Sequence, residues 1–195
     1  MSETKKIVIT AMLIALSVVL PLAFHTVPGA GPVLLPMHIP VLLAGLVCGW
    51  KYGLASGLAA PILSNTLTGM PPSFAMASLM SIELGVYGLV AGILAYVVRT
   101  KSASLDLYIC LVISMLAGRL VAGVAMAVYF APLVTWPDAY GNVAGFTLAA
   151  WVATYFVASL PGIVIQLAFV PSVVMALERE RVIPFRYPIK AGESA

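Results

Sequence analysis

Two stretches without a single Asp, Glu, Lys or Arg, residues 7–50 and 52–82, constrain this chain more than any other feature. Each far exceeds the roughly 20 apolar residues that one membrane-spanning helix needs. With 62% of the 195 residues hydrophobic, no stretch is left that would make a separate soluble domain. The expected fold is therefore an all-α integral membrane protein, a single transmembrane domain over residues 1–195. The apolar material divides into about six helices, near 7–24, 34–49, 52–68, 72–98, 104–130 and 147–177. The second is short and is expected to be tilted or partly irregular.

The charges set the orientation. With the amino terminus in the cytoplasm, Lys5, Lys6, Lys51, Arg99, Lys101, Arg179, Arg181, Arg186 and Lys190 all fall on the cytoplasmic side, as the positive-inside rule requires. The outer connections, around 25–37, 69–72 and 131–146, carry no Lys or Arg. Both termini are then cytoplasmic. Lys5 and Lys6 ahead of an apolar run, with small residues near Gly29 to Gly31, imitate a cleavable leader, but removing that segment would spoil the charge pattern, so retention is expected. The net charge of +3 reflects this orientation and gives no support to a nucleic-acid partner. Cys48 and Cys110 show no CxxC or Cys/His ligand spacing and read as packing residues. Gly45, Gly49, Gly53 and Gly57 read as two short close-packing faces on either side of a tight bend at Trp50 and Lys51. Two outer loops, 24–32 and 131–142, combine Pro and Gly with aromatics; they read either as a lid over an outward-facing site or as plain connections with Trp136 and Tyr140 in the interfacial belt.

Arg119 is the one cation left inside a helix. Glu83 stands about 11 residues, or roughly 16 Å of helix, inward from Pro72, and Arg119 a similar distance inward from Phe130, so adjacent helices bring them to one depth. An Arg at mid-span costs something like 2.5–3.5 kcal/mol on insertion scales and cannot shed its proton, so it needs an anion or a wet cavity. Two readings follow: a helix-to-helix ion pair that fixes packing, or an Arg119 that receives a substrate carboxylate or carbonyl with Glu83 as its resting partner. Helical spacing supplies neighbours: Met76, Met80, Glu83 and Tyr87 on one face, Met115, Arg119, Ala122 and Met126 on the next, and Trp151, Tyr155, Ala158 and Gly162 on the last. Met, Tyr and Trp walls around a few polar groups suit a small, partly apolar metabolite, though each such residue equally suits a plain core. Asn65 and His38, near outer helix ends, are further polar candidates. The candidate substrate-binding set is thus Arg119, Glu83, Asn65, His38, Tyr87, Trp151 and Tyr155. No Walker A sequence, HExxH, GxSxG or carboxylate cluster is present, so no enzyme activity, metal or cofactor is expected, and transport must draw on ion coupling or on a partner's ATP hydrolysis.

Longer strings carry a resemblance. Residues 9–16 (ITAMLIAL), 35–45 (LPMHIPVLLAG), 51–53 (KYG), 68–72 (TGMPP) and 159–167 (SLPGIVIQL) resemble the substrate-binding S component of an energy-coupling factor (ECF) vitamin transporter along nearly the whole chain. The resemblance implies a binding subunit in a prokaryotic plasma membrane that captures a vitamin or related precursor at the outer face. It further implies association with a transmembrane coupling subunit and two cytoplasmic ATPases, and delivery by toppling in the bilayer. Ala11 and Ala15, at the family's AxxxA positions, would form the helix surface that meets the coupling subunit, where small residues permit close approach. The Arg tilts the substrate towards a carboxylate-bearing compound, and the overall likeness to pantothenate-type members of the family points the same way. A standalone proton-coupled permease, in which Glu83 titrates beside Arg119, is the alternative, and a non-transporting scaffold a third class. Dependence on ATPase partners separates the first two.

Overall fold

The computed structural model describes residues 1–23, 30–100, 102–130 and 148–183. The expectations placed on the outer loops at 24–29 and 131–146, including Trp136 and Tyr140, and on Lys101, Arg186 and Lys190 lie outside the described residues. Every regular element among the described residues is helical. In chain order these are α1 (Glu3–Ala23), α2 (Ala30–Leu34), α3 (His38–Cys48), α4 (Trp50–Thr68), α5 (Phe74–Val97), α6 (Ala103–Ala125), α7 (Leu148–Val152) and α8 (Leu160–Arg179). Two wider π-helical turns extend them, Met126–Phe130 after α6 and Ala153–Ala158 after α7.

Four helices are long and apolar enough to cross a membrane by length and composition: Glu3–Ala23, Phe74–Val97, Ala103–Val128 and Leu160–Arg179. The region expected as a second span over 34–49 holds only the 11 helical residues of α3. Leu35, held at a φ of 51°, and the turn at Pro36 and Met37 keep the preceding residues out of it. A leucine in the left-handed region costs on the order of 1–2 kcal/mol, so the packing of α3 must impose this turn. That packing is extensive: every residue from His38 to Gly45, and Cys48, is buried. An apolar surface all round a helix is what a central position demands. The expected last span, 147–177, divides at Ser159 between the π-helical turn and α8.

Around α3 stand α1, α4, α5 and α8, and α5 in turn packs on α4 and α6. Glycines set the closest approach. A methyl group added at Gly53 would overlap the Gly88 carbonyl, and one at Gly57 the Leu84 carbonyl. Gly45 also faces the Gly88 carbonyl, while Gly49, at a φ of 99°, makes the bend between α3 and α4. Without a hydrophobic force between helices in lipid, backbone contact of this kind supplies the packing energy. Buried hydroxyls on α1 close on their own helix: Thr10 donates to the Lys6 carbonyl at 2.7 Å and Ser17 to that of Leu13 at 2.9 Å. The opposite face of α1, with Ala11, Met12 and Ala15, is exposed.

One end of the bundle gathers cations. Lys5 Nζ donates to the Val182 carbonyl, Tyr52 donates to the Glu3 carboxylate at 2.6 Å, and Lys6 pairs with Glu3 at 2.7 Å. These contacts bring the start of α1, the α3–α4 bend and the end of α8 together. Ser104 and Met175, in contact at 3.5 Å, add the start of α6 to the same end. Lys51, Arg179 and Arg181 flank it.

Candidate functional site

Glu83 on α5 and Arg119 on α6 lie at comparable depth, Glu83 roughly 14 Å of helix from Phe74. Both are buried, at 4% and 2% exposure. Among the described residues no direct ion pair joins them; the hydroxyl of Tyr87 does. It donates to Glu83 Oε1 at 3.1 Å and accepts from Arg119 Nε at 3.0 Å. The reading of a direct helix-to-helix ion pair is thereby corrected to a three-membered relay, guanidinium to phenol to carboxylate. Its cause is the position of Tyr87, one turn beyond Glu83 on α5 and wholly buried. Gly118, beside Arg119, makes room for the ring, since a methyl there would overlap it.

A second donor of the guanidinium is held by the π-helical turn Ala153–Ala158. Arg119 Nη1 donates to the Tyr155 carbonyl, which also accepts from Ser159 Oγ at 2.6 Å. The guanidinium carbon stands 5.3 Å from the centroid of the Phe156 ring, a cation–π distance. The π-helical turn explains how one short segment offers both a carbonyl and a ring. Its wider pitch alters the usual helical bonding and rotates the following side chains, and such turns recur at functional sites. Trp151 meets Phe156 edge-on at 5.3 Å, lies tilted against Tyr155 at 6.0 Å, and packs against Gly123 of α6.

His38 joins the group from the start of α3. Buried at 3% exposure, its ring stands edge-on to Tyr87 with centroids 5.4 Å apart. The structure thus brings together six of the residues singled out from the sequence: Arg119, Glu83, Tyr87, His38, Trp151 and Tyr155. Asn65 stands apart. Its amide donates to the Pro71 carbonyl at 2.6 Å and closes the turn between α4 and α5. Residues that sequence spacing did not single out are Phe156, Ser159, Gly118 and Gly123. Counting at the ordinary helical period put Trp151 and Tyr155 on one face, whereas the π turn gives Phe156 to Trp151 as well. Only the density of small residues around Arg119 hinted at the glycines.

The arrangement offers a cation with part of its donor fan engaged, a carboxylate and an imidazole, inside a wall of aromatic rings. Among the described residues, His38 Nδ1, Trp151 Nε1, Thr154 Oγ1 and both amide atoms of Gln166 are buried without a hydrogen-bond partner. Such groups suit recognition of a small polar molecule. They offer no nucleophile paired with a base.

Residues 5–174 match the family model described as ECF transporter, substrate-specific component. No curated protein matches the chain closely enough to count as a relative. The match spans most of the chain, which therefore belongs to this family, whose members are multi-pass membrane proteins that bind substrate for an ECF transporter.

Proposed function

We propose that this substrate-specific component captures a small carboxylate-bearing compound, a vitamin or vitamin precursor of pantothenate type, at Arg119, with the cation-rich end of the bundle in the cytoplasm. The observation that carries the reading is the buried guanidinium. Its Nε and one Nη are tied to Tyr87 and Tyr155, which fixes the orientation of the planar group. A carboxylate matches the donors left over as a bidentate partner, which gives geometric specificity as well as energy. Tyr87 then has a second role, since it passes part of the cation's charge to Glu83 when no substrate is present.

In this reading Arg119, Glu83, Tyr87, His38, Trp151 and Tyr155 line the site, and Asn65 holds the neighbouring turn. Delivery depends on a transmembrane coupling subunit and two cytoplasmic ATPases in a prokaryotic cell membrane. Ala11 and Ala15 meet the coupling subunit as the protein topples. Their place on the exposed face of α1 supports this role. The positive-inside rule supports the orientation, because Lys5, Lys6, Lys51, Arg179 and Arg181 share one end of the bundle.

The test is mass spectrometry of whatever is released on denaturing gently purified protein. A stoichiometric carboxylate-bearing compound, lost from Arg119→Ala while co-purification with the coupling subunit persists, is the expected result. Equal retention by wild type and folded Arg119→Ala would remove Arg119 from the site, and uptake without the ATPase partners would replace the subunit reading with a permease.

A further inference from the structure

The start of α1, the bend before α4 and the end of α5 meet at one corner of the cation-rich end. Glu3 has both carboxylate oxygens engaged there, one by Lys6 at 2.7 Å and the other by the Tyr52 hydroxyl at 2.6 Å. Lys51 lies close enough to act electrostatically on the same carboxylate, and Tyr96 of α5 stands in the same relation to Lys6. The Tyr96 ring also lies against the bend, its hydroxyl 3.5 Å from where a methyl on Gly49 would stand. Lys51 folds over the exposed Trp50 ring, with Nζ 5.6 Å from the centroid.

The charges at this corner do not cancel. Lys6 and Lys51 face one carboxylate, which leaves one positive charge over, and among the described residues Lys51 has no ion pair. An ammonium group carries three donors, of which Lys6 gives one to Glu3. Further from the end of the bundle the surface turns apolar. α4 and α5 touch from Trp50 on Gly92 to Leu58 on Gly85, and beside this seam Leu58 and Ile93 are exposed. From the end inward the corner therefore offers cations, then aromatic rings with polar tips, then bare aliphatic side chains. A phospholipid presents its own parts in that order: phosphate, ester region and acyl chains.

We infer that this corner binds an anionic phospholipid of the cytoplasmic leaflet, its phosphodiester held between Lys6 and Lys51 and its chains lying along α4 and α5 beside Trp50, Leu58 and Ile93. The single charge of a phosphodiester completes the balance that Glu3 leaves open. A headgroup that brings its own ammonium, as in phosphatidylcholine, restores the excess, whereas the uncharged glycerol of phosphatidylglycerol does not. The remaining cations of this end are placed differently. Lys5 is engaged by the Val182 carbonyl, and Arg179 and Arg181 follow α8, which contributes no residue to the corner. The site is independent of what Arg119 binds.

The experiment is native mass spectrometry of the delipidated protein in detergent, titrated with phosphatidylglycerol and, separately, with phosphatidylcholine of the same acyl chains. Phosphatidylglycerol is expected to bind at least about tenfold more tightly. Each lysine beside an anionic headgroup strengthens contact about fivefold, so Lys51→Gln and Lys6→Gln are each expected to lose that much affinity for phosphatidylglycerol, while Arg181→Gln keeps it. Lys51→Gln alone decides the matter if Lys6→Gln fails to fold, since Lys51 is exposed. Equal binding of the two lipids would overturn the inference. So would equal losses in Lys51→Gln and Arg181→Gln, which would show a diffuse attraction in place of a site. Displacement of bound phosphatidylglycerol by soluble glycerol phosphate would also overturn it, because the corner would then read a phosphate without its lipid. Unchanged phosphatidylglycerol affinity in Lys51→Gln, with co-purification of the coupling subunit lost, would give the corner to an acidic protein partner and overturn the lipid assignment. The compound retained at Arg119 is counted in the same spectra and bears on none of these outcomes.

Discussion

Replacing Tyr87 with Phe tests the relay directly, because it deletes one oxygen and leaves the ring that fills the space at Gly118. The hydroxyl carries two bonds to charged groups, at 3.0 Å from Arg119 and 3.1 Å to Glu83. Hydrogen bonds to charged groups contribute about 1.5–3 kcal/mol each. Both distances exceed the roughly 2.7–2.9 Å of tight charge-assisted bonds, so the lower end of the range applies and the pair amounts to about 3 kcal/mol. For a chain of this length that corresponds to a melting shift of about 6–12 °C. The protein carries its own reporter: the Cys48 and Cys110 thiols are buried, so a thiol-reactive fluorophore reads unfolding. Tyr96, 62% exposed, supplies the control, since Tyr96→Phe should not shift the curve.

A double-mutant cycle separates the relay from simple packing. If Tyr87 acts through Glu83, the loss in Tyr87→Phe/Glu83→Gln falls short of the sum of the single losses by about 1 kcal/mol or more, as expected for groups in one network. A Tyr87→Phe melting curve within about 1 °C of wild type, or strict additivity with Glu83→Gln, would refute the relay, because 3 kcal/mol could not be absorbed without trace.

Gly88→Ala should cost about 3 kcal/mol or prevent assembly, because its methyl overlaps the Gly53 backbone, whereas Gly31→Ala, whose methyl meets nothing within 4 Å, should leave the thiol-protection melting curve unchanged. Asn65→Ala removes the 2.6 Å bond to the Pro71 carbonyl and should lower stability by about 1 kcal/mol in that assay, with retention of the bound compound unaffected. Ala11→Trp and Ala15→Trp, on the exposed face of α1, should melt like wild type and retain the bound compound but fail to co-purify with the coupling subunit.

The helical membrane architecture was legible because its signal is crude and additive: uncharged length, the placement of Lys and Arg, and the need of lipid-exposed backbone to satisfy itself. Glu83 and Arg119 were legible for the same reason, as isolated charges are conspicuous against an apolar background. What the sequence withheld depends on angle. Whether two charges at one depth touch or are bridged turns on the rotation of two helices by a fraction of a turn. Here the absence of a side chain at Gly118 lets the Tyr87 ring in, and its hydroxyl takes the middle position. Asn65 had the right polarity and the right end of a helix, but the carbonyl of Pro71 was nearer.

The π-helical turn after α7 shows the same limit in another form. Helical periodicity assumes a constant pitch, and the assumption fails at the segment that holds Arg119, where the widened turn delivers the Tyr155 carbonyl and the Phe156 ring to one guanidinium. That carbonyl takes the guanidinium and the Ser159 hydroxyl together, a polar load placed on the irregular segment itself. The local departure from regularity and the buried charge thus account for each other: the charge rewards the irregular backbone, and the irregular backbone makes the charge tolerable in a bundle that would otherwise exclude it.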